Sequence, residues 1–153
     1  APGYQAILDA QIPAVALPDG AGTVRIIAGA YAGAAGPART FSPMNVLDVR
    51  LAAGASAALP QPEGWTTLLV VLAGSVRLGG ESVLGEKQMA TLSTTGTGVV
   101  IEASGDAKLL LLAGEPIDEP VAGYGPFVMN SPQEIREAID DFNSGKFGQM
   151  PAR

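Results

Sequence analysis

Glu115, Asp118 and Glu119 lie together in "GEPIDEP", and a pair of carboxylates held at separated pKa values can serve as general acid and base. Pro116 and Pro120 argue for a plainer reading, an extended connection whose acidic side chains cap turns or pair with arginine. Ser56, Ser75, Ser82, Ser93 and Ser104 offer hydroxyls, but no histidine or obvious lysine lies near them in sequence, so a hydrolytic nucleophile is not expected. Histidine is absent from the whole chain, which removes the commonest metal ligand and the usual acid or base of neutral pH. Cysteine is absent too, and with it disulfides and thiolate chemistry.

What remains is the stretch "LPQPEGW" from Leu59 to Trp65, two prolines two apart before the single tryptophan. Trp65 reads as a core or interface residue; alternatively it lines a small apolar cavity with Pro60, Pro62 and Thr67 near the mouth. A calcium or magnesium site built from carboxylates would need several converging oxygens, and the only nearby acid is Glu63, in an expected turn.

The elements that would position these residues are short strands. Hydrophobic residues make up 47% of the chain and charged residues 16%, with 20 Gly and 12 Pro, a mixture suited to buried strands joined by tight turns. At 153 residues the chain is long enough for one core. The net charge of −6, without a cluster of Lys or Arg, argues against direct nucleic-acid binding. No signal-peptide pattern precedes the first strand, and runs such as "LLVVLAG" are too short to span a membrane, so a cytoplasmic location is expected.

Strands are predicted over Thr23–Ala28 and Val46–Leu51, the second with Leu47, Val49 and Leu51 inward and Asp48 and Arg50 outward. Thr66–Leu72 is apolar on both faces and reads as a central strand covered on both sides. Gly79 and Gly80 mark a hairpin, and further strands follow at Met89–Leu92, Val99–Glu102 and Lys108–Leu112. This series implies an antiparallel β-sandwich or barrel.

The end of the chain changes character. Ser131, Pro132 and Glu134 supply an N-cap, a first-turn proline and a capping-box acid, so a helix is predicted over about 132–143, closed by Gly145. Ile135, Ala138, Ile139 and Phe142 form its apolar face, expected to dock on the barrel, while Glu137, Asp140 and Asp141 form a solvated face. The expected organisation is therefore an N-terminal arm over 1–22, a barrel over 23–114, and a C-terminal segment over 115–153.

Gly54 and Gly74 bracket "GASAALPQPEGWTTLLVVLAG", whose spacing resembles the first signature of the cupin barrels: glycine, five residues, two histidines two apart, a glutamate, six residues, glycine. In that frame the histidine positions fall on Pro60 and Pro62 and the glutamate position on Thr67. A second signature, degraded across "LGEKQMATLS", would place its histidine near Ala90. None of these four side chains suits an iron, zinc or manganese ion. "GPARTFSPMNVLDVRLAAGA", "LPQPEGWTTLLVVLAGSV" and "GEPIDEPVAGYGPFVMN" with its capped helix extend the likeness over roughly residues 4–148, which resemble the C-terminal half of pirin family proteins.

The resemblance implies a jelly-roll cupin with a C-terminal α-helix. Family members are bicupins, with iron on three histidines and a glutamate in an N-terminal barrel and, usually, no metal in the C-terminal one. No catalytic, metal or cofactor residue is then expected in this chain, which begins at "APGYQ", similar to the inter-domain linker; iron belongs to the N-terminal cupin it lacks. The implied role is structural: packing against that N-terminal half or against a second copy, with the Tyr4 segment and the C-terminal helix as contacts. Oxidative cleavage of a flavonol such as quercetin is known in the family, as is a transcriptional cofactor role through protein partners.

Overall fold

The computed structural model describes residues 4–80 and 82–148. It divides into two compact units, one ending at Pro116 and the other starting at Ile117. Fourteen strands are present among the described residues. Those of the first unit are β1 (Ala14–Ala16), β2 (Gly22–Ala28), β3 (Ala30–Tyr31), β4 (Ala34–Ala35), β5 (Met44–Leu51), β6 (Ser56–Pro60), β7 (Thr66–Ala73), β8 (Ser75–Leu78), β9 (Ser82–Gly85), β10 (Met89–Thr91), β11 (Gly98–Ala103) and β12 (Ala107–Gly114). The second unit holds β13 (Ala122–Tyr124), β14 (Phe127–Met129) and helix α1 (Pro132–Asn143).

Two antiparallel sheets build the first unit, ordered β1-β2-β5-β12-β7-β10 and β6-β11-β8-β9. Strict alternation produces the core between them. Val24 and Ile26 of β2, Leu47 and Val49 of β5, Leu69 and Val71 of β7, and Leu109 and Leu111 of β12 are fully buried from one sheet. Leu59, Val76 and Ile101 meet them from the other. Each such side chain contributes about 1.5–3 kcal/mol by leaving water. The outward charged residues of β5 are paired: Asp48, half-buried, accepts from Arg25 at 3.0 Å and from the exposed Arg50 at 3.2 Å.

Three details depart from the sequence reading. Ala14–Ala16, assigned to the arm, pairs with β2 through Ala14–Arg25 and Ala16–Thr23, so the sheet begins before residue 23. β7 is not equally covered on its two faces: Thr67, Leu69 and Val71 are buried, Leu68 and Val70 are half-buried, and Leu72 is 51% exposed. Leu72 falls at an irregularity, because Leu109 pairs with Val71 and Lys108 with Ala73, which leaves Leu72 opposite neither. Two-residue strands β3 and β4 also lie between predicted elements. The expected hairpin forms as β8 and β9, joined through Gly79 and Gly80 at positive φ.

In the second unit, β13 and β14 form a hairpin turned at Gly125 and Pro126. Helix α1 begins where its signals place it. Ser131 Oγ accepts from the Glu134 backbone N–H at 3.2 Å, and the Glu134 carboxylate accepts from the Ser131 hydroxyl at 2.9 Å and the Asn130 N–H at 3.1 Å. Ile135 and Ala138 are buried, whereas Phe142 is 62% exposed. It makes an edge-to-face contact with Phe127, ring centroids 6.4 Å apart, and Phe147 completes an aromatic trio. Lys146 donates to Asp141 just beyond the helix, and that carboxylate holds the ammonium pKa above its ordinary value. No helix among the described residues is long and apolar enough to cross a membrane.

Candidate functional site

Three of the positions singled out by spacing, Pro60, Pro62 and Thr67, fall where β6 runs out and β7 begins. Pro60 ends β6 opposite Gly98 and lies on its exposed side. Inward residues of β6 are Ala57 and Leu59, and the alternation carries on past the strand to Gln61, which is only 7% exposed. Pro60 therefore does not line the cavity, a correction to the expected set: the pleat turns its ring outward and brings Gln61 in. Gln61 is held by its backbone N–H, which donates to Thr97 C=O at 3.0 Å.

The chain then turns over Pro62–Glu63–Gly64, with the Trp65 N–H donating to Pro62 C=O at 3.3 Å and the Gly64 N–H to Thr94 C=O at 2.8 Å. Trp65 is half-buried and packs against the core. Thr67 is buried at 4% exposure on the inward face of β7. Pro62, Trp65 and Thr67 share a small cavity of about 20 Å³ with Gln61, Leu92 and the 93–98 loop. Ala90 sits opposite Leu69 and packs on the core without lining this cavity.

Gln61 is the residue that motif spacing misses. Its Oε1 accepts from Asn45 Nδ2 at 2.9 Å, and Asn45 Oδ1 in turn accepts from the Ala30 backbone N–H at 3.1 Å. Gln61 Nε2 is buried and has no partner among the described residues. The inward alternation of Ala57 and Leu59 is the signal that could have found it.

These residues do not fit a metal ion. The cavity is lined by Gln61, by Thr67, Ser93, Thr94 and Thr95, and by the apolar Pro62, Trp65 and Leu92, where a transition metal requires several imidazole, carboxylate or thiolate ligands. No group of three or more His, Cys, Asp or Glu gathers among the described residues. The acidic cluster of "GEPIDEP" is exposed, and Glu119 accepts from Asn130 Nδ2 at 2.9 Å, as a turn-stabilising carboxylate does. Ser75 and Ser104 share a hydrogen bond of 2.8 Å with each other. A further concavity of about 600 Å³ is an open groove lined by Leu17–Ala21, Tyr31 and Ala52–Ala58, with Asp19 the carboxylate among these lining residues.

Residues 46–148 match the family model described as the pirin C-terminal cupin domain. The chain belongs to the pirin family. A Pseudomonas aeruginosa pirin relative, provisionally named a quercetin 2,3-dioxygenase, is 51% identical over 146 residues, covering 95% of this chain and 51% of that protein. Mouse pirin is 36% identical over 157 residues, covering 100% of this chain and 53% of its own length. The crystal structure of quercetin 2,3-dioxygenase from Acinetobacter baumannii superimposes with a TM-score of 0.91 at 49% identity, over 97% of this chain and 52% of that one. The chain thus spans about half the length of the pirin relatives it matches.

Proposed function

We infer that this chain is the metal-free barrel of a two-barrel pirin-family protein and that its role is structural, packing against a metal-bearing barrel or against a second copy of itself. The observation that carries this is the fate of the ligand frame. By the glycine spacing of the resemblance the ligand positions fall on Pro60, Pro62, Thr67 and Ala90, none of them a suitable metal donor and Pro60 turned outward, in a barrel whose core is otherwise fully built. The relatives' length, about twice that of this chain, supports a second barrel elsewhere in the parent protein. Exposed Tyr4, at 92%, and the exposed apolar residues Leu72 and Met89 on neighbouring strands supply contact surface.

The names of the relatives support a further step, that the parent protein cleaves a flavonol such as quercetin oxidatively; iron in its other barrel is what the family resemblance adds. The test compares this chain and the two-barrel protein, each supplied with ferrous iron, quercetin and air, following loss of the flavonol absorbance. Turnover is expected from the longer protein only and is abolished by a chelator. Iron-dependent turnover by this chain alone overturns the structural reading.

A further inference from the structure

The four-stranded sheet leaves β6 at an edge, paired on one side only, with β11, from Ser56–Glu102 to Pro60–Gly98. The ladder decides which backbone groups of β6 are spent. Ala103 N–H donates to Ala55 C=O at 2.9 Å and Gln61 N–H to Thr97 C=O at 3.0 Å. Antiparallel bonding takes every second residue, so residues 55, 57, 59 and 61 face β11. Ser56 and Ala58 therefore aim their N–H and C=O groups away from the sheet, where they meet no hydrogen-bond partner among the described residues. Pro60 lacks an N–H and closes the series. This edge opens into the groove of about 600 Å³ lined by Leu17–Ala21, Tyr31 and Ala52–Ala58. Successive residues of a strand point to opposite faces, so a groove lined by Ser56, Ala57 and Ala58 together meets β6 along its edge and not on one face. No lysine or arginine is among these lining residues, so the edge lacks the charged guard that open edges usually carry, while exposed Asp19 presents a carboxylate. Ala52 N–H donates to Ala21 C=O at 2.9 Å, which sets the turn of Asp19 beside the residue-52 end of the groove. Leu17 is buried and Tyr31 half-buried against the core, an apolar floor shared with Ala57.

We propose that the β6 edge binds an extended peptide of a partner protein as an added antiparallel strand, with an apolar residue between the two that pair with Ser56 and Ala58 and a lysine or arginine after them. An extended backbone supplies acceptors and donors at the spacing of the free N–H and C=O groups. Peptide residues opposite Ser56 and Ala58 exchange those bonds, and the residue between them turns its side chain to the Ala57 side, over the apolar floor. An antiparallel strand carries its C-terminal end to the residue-52 end of the groove, where Asp19 selects a cation. Nothing in this depends on whether the barrel also supports a metal-bearing partner.

The probe is acetyl-Thr-Val-Thr-Lys-amide, titrated into the whole chain to about 10 mM, a range that reads the millimolar affinity of so short a ladder, while backbone amide resonances are followed. Saturable shifts are expected at Ser56, Ala58 and Leu17. N-methylation of the peptide at either threonine removes a donor to β6 and should weaken binding about tenfold or more, whereas N-methylation at valine, whose N–H faces away, should leave it within about twofold. Asp19→Asn is compatible with the backbone there, φ +54°, and should weaken the lysine peptide about two- to fivefold and remove its salt dependence. Ala58→Pro deletes an outward N–H that the β6–β11 ladder does not use, so a thermal melt near wild type with loss of the peptide response is expected. The methylated peptides decide the matter on the wild-type chain should that variant not fold. No saturable shift, equal binding of all the methylated peptides, or an unchanged response in folded Ala58→Pro would overturn the proposal. Self-association of the wild type that Ala58→Pro abolishes would assign the edge to a second copy and overturn the peptide as its occupant.

Discussion

Gly29 sets the geometry of the polar chain by having no side chain. Its φ is +77°, and a Cβ placed there would run into Asn45 Oδ1 and the Met44 carbonyl oxygen. Gly29→Ala must therefore move Asn45, and with it the donor that Gln61 Oε1 accepts from. The expected cost is about 2–3 kcal/mol, combining left-handed strain with a disturbed buried hydrogen bond, read as a lower thermal midpoint. The Gln61 side-chain resonances should shift in the same variant, a readout that a purely local strain at Gly29 would leave untouched. Of this chain only the strand alternation was legible beforehand. Counting residues between glycines selected Pro60 and Pro62, but the pleat, with Ala57 and Leu59 inward, selects Gln61. Asn45 joins it from β5, 16 residues earlier, and such a long-range side-chain pairing leaves no mark in local sequence.

Elements whose signals are local were the most readable. Helix α1 starts at Pro132 because Ser131 caps the Glu134 amide and the Glu134 carboxylate holds the Asn130 N–H just before the cap, and all of that information lies within five residues. Ser131→Ala should remove about 1 kcal/mol of helix stability, measurable as a drop in the thermal midpoint or as faster amide exchange in the first turn, while Ser131→Asp should retain most of it. The long strands were legible for a related reason: β2, β5, β7 and β12 carry enough alternating or continuous apolar residues to declare a buried face. β1, β3, β4, β13 and β14 span only two or three residues, too few for any period, and exist because a partner strand supplies their hydrogen bonds. β7 shows the opposite limit. "TTLLVVL" reads as covered on both sides, yet hydropathy cannot distinguish a strand sealed on two faces from one sealed on one face and left half-open on the other.

At the scale of the whole molecule, that half-open face carries the last expectation. Met89 of β10 lies opposite Val70 of β7, and Met89 and Leu72 are 59% and 51% exposed. Leu68, Val70, Leu110 and Leu112 continue the same outward side across β7 and β12, with Leu112 opposite Leu68 and Leu110 opposite Val70. Apolar side chains paired across adjacent strands form a contiguous surface, and burying that surface against a partner gains free energy in proportion to its area. A net charge of −6 opposes self-association at low ionic strength, so association should strengthen as salt screens the repulsion. Sedimentation velocity over a range of concentrations is expected to show concentration-dependent self-association that grows between low and physiological salt. Leu72→Glu places a charge at the unpaired position of β7, where the backbone irregularity leaves the fold least affected, and should return the chain to a monomer with little change in thermal midpoint. A wild-type chain that stays monomeric across the whole concentration range, or a Leu72→Glu variant that associates as strongly as wild type, would remove this face from the contact surfaces of the barrel.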